Sequence, residues 1–239
     1  MEVMWFGLIS FCTSLITGVI GVGGGLLLIA ILPHFLPTNA LIPVHGLTQI
    51  ASNVSRTYFG WKDVQLEVVP KFFIGSLLGV SVFTLLLNQI TLSSIPLLIG
   101  VYILVSLWSP WFNAKIMKYE NYYLIGFLQT GLSVVVGTTG QLAIAKLLKD
   151  FNDANKVVAT SALLMSITHL LKSVVFIYFG FVFFDYAGLI FVMMIGSVLG
   201  SYAGTKLRHK LESKTLMFLL KLLLSALALK SIVKTIFAG

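Results

Sequence analysis

Charge is what this sequence lacks most. Its 239 residues include 16 Lys and Arg and 8 Asp and Glu, so that 10% are charged and 58% are hydrophobic, with a mean hydropathy of +1.00. A soluble domain needs roughly a quarter of its residues charged to cover its surface. Most of this surface must therefore face something other than water, and a lipid bilayer is the expected surrounding. Cysteine is nearly absent as well: Cys12 stands alone, which excludes an internal disulfide and a cysteine metal cluster. There is no His-Glu-x-x-His, no Gly-x-Ser-x-Gly and no nucleotide-binding loop, so neither catalytic residues nor a cofactor or metal is expected. A cleavable signal is missing too, since Glu2 is the only charge near the N-terminus and no basic region precedes the apolar run.

What the chain does have is long uncharged runs. Val3–Ser55, Phe72–Ala114, Asn121–Ala145, Val157–Leu171, Ser173–Phe184 and Tyr186–Thr205 carry no formal charge. At about 20 apolar residues per span they hold some eight helical segments, near 3–33, 41–60, 70–88, 92–112, 121–146, 157–182, 186–206 and 215–236. The expected class is an all-α polytopic membrane protein. A net charge of +8 would suggest nucleic acid in a soluble protein, but here it suits basic cytoplasmic loops, and no nucleic acid is expected as a partner.

Two glycine-rich stretches resemble each other. Gly21-Val-Gly-Gly-Gly is echoed by Gly137-Thr-Thr-Gly140, and Tyr58-Phe-Gly by Tyr178-Phe-Gly. The reading is a duplication, 1–114 and 115–239, each half holding four segments and opening on a glycine-broken one. If all eight segments cross a membrane, the loop Lys and Arg divide seven against seven. If the two broken segments enter and leave on one side, the twelve from Arg56 to Lys214 gather on one face and only Lys230 and Lys234 lie towards the other. The positive-inside rule favours the second arrangement, with inverted halves and both termini on the non-cytoplasmic side. The charges decide this for the fifth segment; for the first it rests on the duplication. Eight ordinary spanning helices are the alternative.

Broken helices at matching positions of two halves point to a transporter binding site, because a restarting helix presents free N–H groups and its positive dipole end. Glycines at this density also serve close helix packing. In the helix after the first break, His45, Gln49, Ser52 and Arg56 recur at helical spacing with Asn53 beside them; in the second half Ser161, Met165, His169 and Lys172 do the same. Polar groups at membrane depth usually turn inward. Lys172 either faces such an interior or snorkels to the interface, and Arg56 is either inward or the cytoplasmic end of its helix. Asp63, Glu67, Glu120, Asp150, Asp153 and Glu212 read as loop residues and Asp185 as bordering a span. A cation carrier would need acids at depth, so the expected solute is a small anion. The candidate substrate contacts are Gly23, Gly24, Gly25, His45, Gln49, Asn53, Arg56, Gly137, Thr138, Thr139, Gly140, Gln141, Ser161, His169 and Lys172. Either histidine can couple transport to protons.

Gly18-x-x-Gly21-Val-Gly-Gly-Gly and His45-Gly-x-x-Gln49-x-x-Ser-Asn53-x-x-Arg56 resemble the signature of the TauE/SafE sulfite exporter family. Ala159-Thr-Ser161 with His169 and Lys172 is similar to that family's second repeat. The resemblance implies a permease of the bacterial inner membrane with a duplicated architecture. It also implies small sulfur-containing anions such as sulfite, thiosulfate or organosulfonates as substrates. The chain departs from the pattern at Gly137-Thr-Thr-Gly140-Gln141, where no proline follows the break. The competing class is a non-transporting membrane protein, an intramembrane enzyme or an assembly factor, for which His45, His169 and Cys12 would have to meet.

Overall fold

A computed structural model describes residues 2–87, 89–116, 121–208 and 213–237, with the backbone alone for Glu2, Asn113, Ile116, Ser213 and Lys214. Lys118 and Lys210, which the charge argument counts, and the loop acids Glu120 and Glu212 lie outside the described residues. Among those described, the chain is helical and no strand occurs. The helices are α1 (Glu2–Ile20), α2 (Gly24–Ile31), α3 (Thr38–Phe59), α4 (Val69–Leu87), α5 (Ile95–Trp108), α6 (Pro110–Ile116), α7 (Tyr122–Val136), α8 (Gln141–Asp150), α9 (Ala154–Tyr178), α10 (Ala187–Leu207) and α11 (Ser213–Phe237).

Among the described residues, five helical stretches are long and apolar enough to cross a membrane: Val3–Ile20, Leu66–Leu87, Ala154–Tyr178, Phe183–Leu207 and Thr215–Phe237. Gly24–His34, Leu92–Trp108 and Tyr122–Val136 are apolar but shorter. Helix α3 has the length and not the apolarity. Its His45, Thr48, Gln49, Ser52, Asn53 and Arg56 are all buried, so its polarity faces the protein while its neighbours offer lipid their Leu and Phe side chains. Leu78, Leu85, Phe191, Leu199, Phe218 and Leu219 are among the large apolar residues left exposed.

Both glycine-rich stretches interrupt a helix. Gly21 and Gly23 take φ of 90° and 99°, and Gly137 takes 86°. L-residues with a Cβ rarely adopt this left-handed region, and it is the usual way to end or redirect a helix. After the first break the chain doubles back: the Phe35 ring meets Phe6 with centroids 5.6 Å apart. After the second it does the same, and the Tyr122 hydroxyl donates to Asp150 Oδ2 at 2.7 Å. Lys146, which ion-pairs with Asp150, completes this closure. Burial alone would raise the Asp150 carboxyl, but hydrogen bonds from Lys146 and Tyr122 outweigh it and hold the group below its ordinary value.

The two doubled-back pairs open towards opposite ends of the bundle. Helix α1 lies parallel to α10, in the register Gly7–Gly196, Phe11–Gly200, Leu15–Gly204, so Phe6 belongs to the end where α10 starts. At the end of α10, Arg208 donates to Asn155 Oδ1 in the first turn of α9, and that turn directly follows α8. Helix α4 runs parallel to α7 in the same manner, with Gly75 against Tyr123 and Gly79 against Phe127. Helices α5 and α11 pair antiparallel: Trp108 Nε1 donates to Ser225 Oγ at 2.8 Å and Ser231 Oγ to the Pro96 carbonyl at 3.2 Å. Between these pairs α3 and α9 pack on each other at the centre.

Small residues set the approach of the parallel pairs and of the doubled-back α1–α2 pair. A Cβ at Gly200 would lie 2.2 Å from the Phe11 carbonyl oxygen, and one at Gly24 would lie 1.9 Å from that of Thr13. Backbone cannot give way as a flexible side chain does, so overpacking here costs about 1–3 kcal/mol. Gly200→Ala and Gly24→Ala are therefore expected to lower the midpoint of thermal unfolding in detergent, while Gly188→Ala, with nothing within 4 Å, leaves it unchanged. Equal midpoints for all three would contradict this packing.

Candidate functional site

The two breaks meet. A cavity of about 40 Å³ is lined by Gly21, Gly23 and Gly25 from the first break and Thr138, Gly140 and Gln141 from the second. Gln49, Asn53 and Arg56 of α3 and Ser161 of α9 join them, with Thr17, Val22, Leu26, Ile144 and Met165 completing the wall. One probe-sized water needs about 10–15 Å³ on this measure. The space thus suits roughly three waters or one small oxyanion, and it is far below the several hundred Å³ of a drug-sized ligand site.

Helical spacing explains how α3 supplies one side. Residues 45, 49, 53 and 56 fall on one face, and His45 is fully buried while Gln49, Asn53 and Arg56 are at most 4% exposed. Asn53 is held by its own helix, its Nδ2 donating to the Gln49 carbonyl at 2.8 Å. Its Oδ1 accepts from Arg56 Nη2 at 2.7 Å, which draws the guanidinium back along the helix towards the cavity. Arg56 Nη2 also approaches Ser52 Oγ at 3.4 Å, and its Nε is buried without a partner among the described residues. Among the described residues no carboxylate lines the cavity and none lies within ion-pair distance of Arg56. Helices α2 and α8 both begin at this space, so their positive dipole ends add to the guanidinium charge. The arrangement suits an anion with several acceptor oxygens.

Nine of the residues singled out by sequence therefore share one space: Gly23, Gly25, Gln49, Asn53, Arg56, Thr138, Gly140, Gln141 and Ser161. The other six stand beside it. Gly24 packs on the Thr13 carbonyl, and Gly137 ends α7. Thr139 turns away and donates from Oγ1 to the Gln129 carbonyl at 2.6 Å. His45, His169 and Lys172 are fully buried and form a layer one helical turn further along α3 and α9. The imidazoles meet edge to face at 5.5 Å. His45 Nε2 donates to the Gly25 carbonyl at 3.0 Å, since a carbonyl can only accept. Lys172 Nζ donates to the Gly137 carbonyl at 2.6 Å. Lys172 is thus not an interfacial snorkel: it lies across Gly46, where a Cβ would sit 2.8 Å from its Cε. Both ring nitrogens of His169 and Nδ1 of His45 lack partners among the described residues.

Gln129 escaped the sequence reading. Its Oε1 accepts from the Ala143 amide at 3.0 Å, capping α8 from inside α7, while its Nε2 donates to Thr168 Oγ1 at 3.3 Å. It sits beside Thr130 in an otherwise apolar stretch of α7, with no helical series of charged or imidazole groups to single it out. The one available signal was an amide in an uncharged run ahead of a glycine break.

Comparison with known proteins adds one match. The family model described as "Sulfite exporter TauE/SafE" covers residues 6–231. No curated protein and no solved structure matches the chain.

Gln129→Leu keeps the volume and strands the Ala143 amide, a buried loss of about 1–3 kcal/mol. The expected outcome is a lower thermal midpoint and faster amide hydrogen exchange over Gln141–Ala145. Unchanged exchange in α8 would remove Gln129 as its cap.

Proposed function

Because the chain belongs to the sulfite exporter TauE/SafE family, we propose that it is a secondary carrier for a small sulfur-containing anion such as sulfite, thiosulfate or an organosulfonate. The family is one of transporters, and with its apolar helices the chain is an integral membrane protein. The observation that carries the reading is the meeting of both chain breaks at one small cavity beside Arg56, with no carboxylate among the described residues of its wall. Anion oxygens there accept from the Arg56 guanidinium, the Gln49 and Gln141 amides, the Thr138 hydroxyl and the backbone N–H groups at Gly23–Gly25 and Gly140, and a turn of the Ser161 hydroxyl away from the Val158 carbonyl adds a further donor. His45, His169 and Lys172 form the layer next to the anion, where a proton taken up by either imidazole compensates the charge that moves.

The broken helices are read as re-entrant pairs, leaving six crossings in α3, α4, α5, α9, α10 and α11. The support is the return of Phe35 to Phe6 and of Asp150 to Tyr122, at opposite ends of the bundle. The halves 1–114 and 115–239 are read as inverted repeats. Exchanging them turns the α1–α10 packing into α7–α4, and leaves α3–α9 and α5–α11 as self-pairs. The end holding Arg56, Lys62, Lys71, Lys115, Lys146, Lys149, Lys156, Lys206 and Arg208 is then cytoplasmic in a bacterial inner membrane, and both termini are outside.

Purified protein in proteoliposomes is expected to move at least one of [35S]sulfite, [35S]thiosulfate and [35S]taurine. Arg56→Gln is expected to slow that flux about thirtyfold or more, because the oxyanion loses a buried charged partner. Flux of none of the three would refute the reading, and full flux in Arg56→Gln would remove the cavity from it. Topology has its own check: a cysteine added at either terminus should react with an impermeant maleimide from the periplasmic side, and labelling only from the cytoplasm would exclude the six-crossing arrangement.

A further inference from the structure

Arg56 is the wall of two cavities. Besides the inner one it lines a second space, about 70 Å³, formed by Phe59, Gly60, Asp63, Asn155, Val158, Ala159, Thr205 and Arg208. This space lies where α3 ends, α9 begins and α10 ends, the lysine-rich end of the bundle. The Arg56 guanidinium spends Nη2 on Asn53 and Ser52 and leaves Nε buried and unpartnered among the described residues. Arg208 is half-buried and held in place, with Nε donating to the Gly18 carbonyl at 2.9 Å and Nη1 to Asn155 Oδ1 at 3.3 Å. Gly18 precedes Gly21 of the inner cavity by one helical turn, so the same side chain is anchored to the first break. Among the described residues, two guanidiniums thus share a small space with one carboxylate, Asp63, which attracts Arg208. Like charges are not brought together in a partly desolvated pocket without a counter-charge, and among the described residues lining it Asp63 supplies only one.

We propose that the pocket between Arg56 and Arg208 is an outer binding site for the same class of small oxyanion, from which the anion passes to the inner cavity with Arg56 contacting it in both places. Asp63 holds the place of the anion at rest: it neutralises part of the charge of the empty pocket and is the group an arriving oxyanion must outcompete. Arg56, on the shared wall, needs only a small swing of its end group to follow the anion inward. The surrounding lysines raise the local anion concentration at this mouth, and the pocket fixes the direction of approach.

This inference rests on the carrier reading, and the kinetics of flux separate the two. In proteoliposomes the transported anion among [35S]sulfite, [35S]thiosulfate and [35S]taurine is measured over a concentration series. Arg208→Gln is expected to raise KM about tenfold with the maximal rate within about twofold, because a capture site is lost and the inner cavity is kept. Arg208→Lys, which keeps the charge and loses the planar fork, falls between. Asp63→Asn removes the competing carboxylate and lowers KM about threefold, an opposite shift that damage to the fold does not produce. If the wild type transports while Arg208→Gln and Asp63→Asn both keep its KM, the outer site is overturned and the carrier stands. If Arg208→Gln lowers only the maximal rate, its role is to anchor Gly18, and the outer site is again overturned. If the wild type moves none of the three anions, carrier and outer site fall together.

Discussion

A peptide group stripped of its hydrogen bond inside a membrane costs several kcal/mol, and this chain breaks its helices twice at its centre. Some of the polar groups around the breaks answer that cost and others tie the broken segments to their neighbours. The Gly137 carbonyl at the end of α7 receives the Lys172 ammonium, and the Gly25 carbonyl receives His45 Nε2. The Gln129 carbonyl receives Thr139, and the Gln129 side chain satisfies an amide in the first turn of α8. Of the residues that line the small cavity, Arg56 and Gln141 keep capacity to spare, since Arg56 Nε and Gln141 Nε2 are buried and unpartnered among the described residues.

That arrangement depends on helices that approach more closely than ordinary side chains permit. Parallel glycine contacts lock α1 to α10 and α4 to α7, so each broken pair is fastened along its length to a helix of the other half. Hydroxyls continue the same seams: Ser14, Ser52 and Ser201 bond one another where α1, α3 and α10 meet, and Ser76, Thr130 and Thr168 do so where α4, α7 and α9 meet. In a lipid surrounding, such close contacts and hydroxyl bonds replace the hydrophobic effect as the force between helices. The two breaks face each other because both halves are held by the same device.

The sequence made the spans, the two breaks and the polar face of α3 legible, since charge-free length, glycine density and helical period are all local signals. Of that face, Gln49, Asn53 and Arg56 line the cavity where the two breaks meet. What the sequence could not do was distinguish a side chain that lines a cavity from one that serves the backbone beside it. His45 and Gln49 lie one turn apart on the same face, yet only Gln49 reaches the cavity; the difference is which carbonyl the fold brings to His45. Lys172 was open between interior and interface until the Gly137 carbonyl, 35 residues away, accounted for its burial. Gln129 and Arg208 were overlooked for the same reason, because their partners, Ala143 and Gly18, become neighbours only after the chain folds back or packs across halves.

The central claim is that an anion sits between the two breaks, against Arg56. Selenite carries the shape and charge of sulfite and an anomalous scatterer, so diffraction at the selenium edge from crystals soaked in selenite locates it directly. The account predicts an anomalous peak within hydrogen-bond reach of Arg56, Gln49 and Thr138. A peak only at the lysine-rich surface, or none at concentrations that saturate transport, would contradict it.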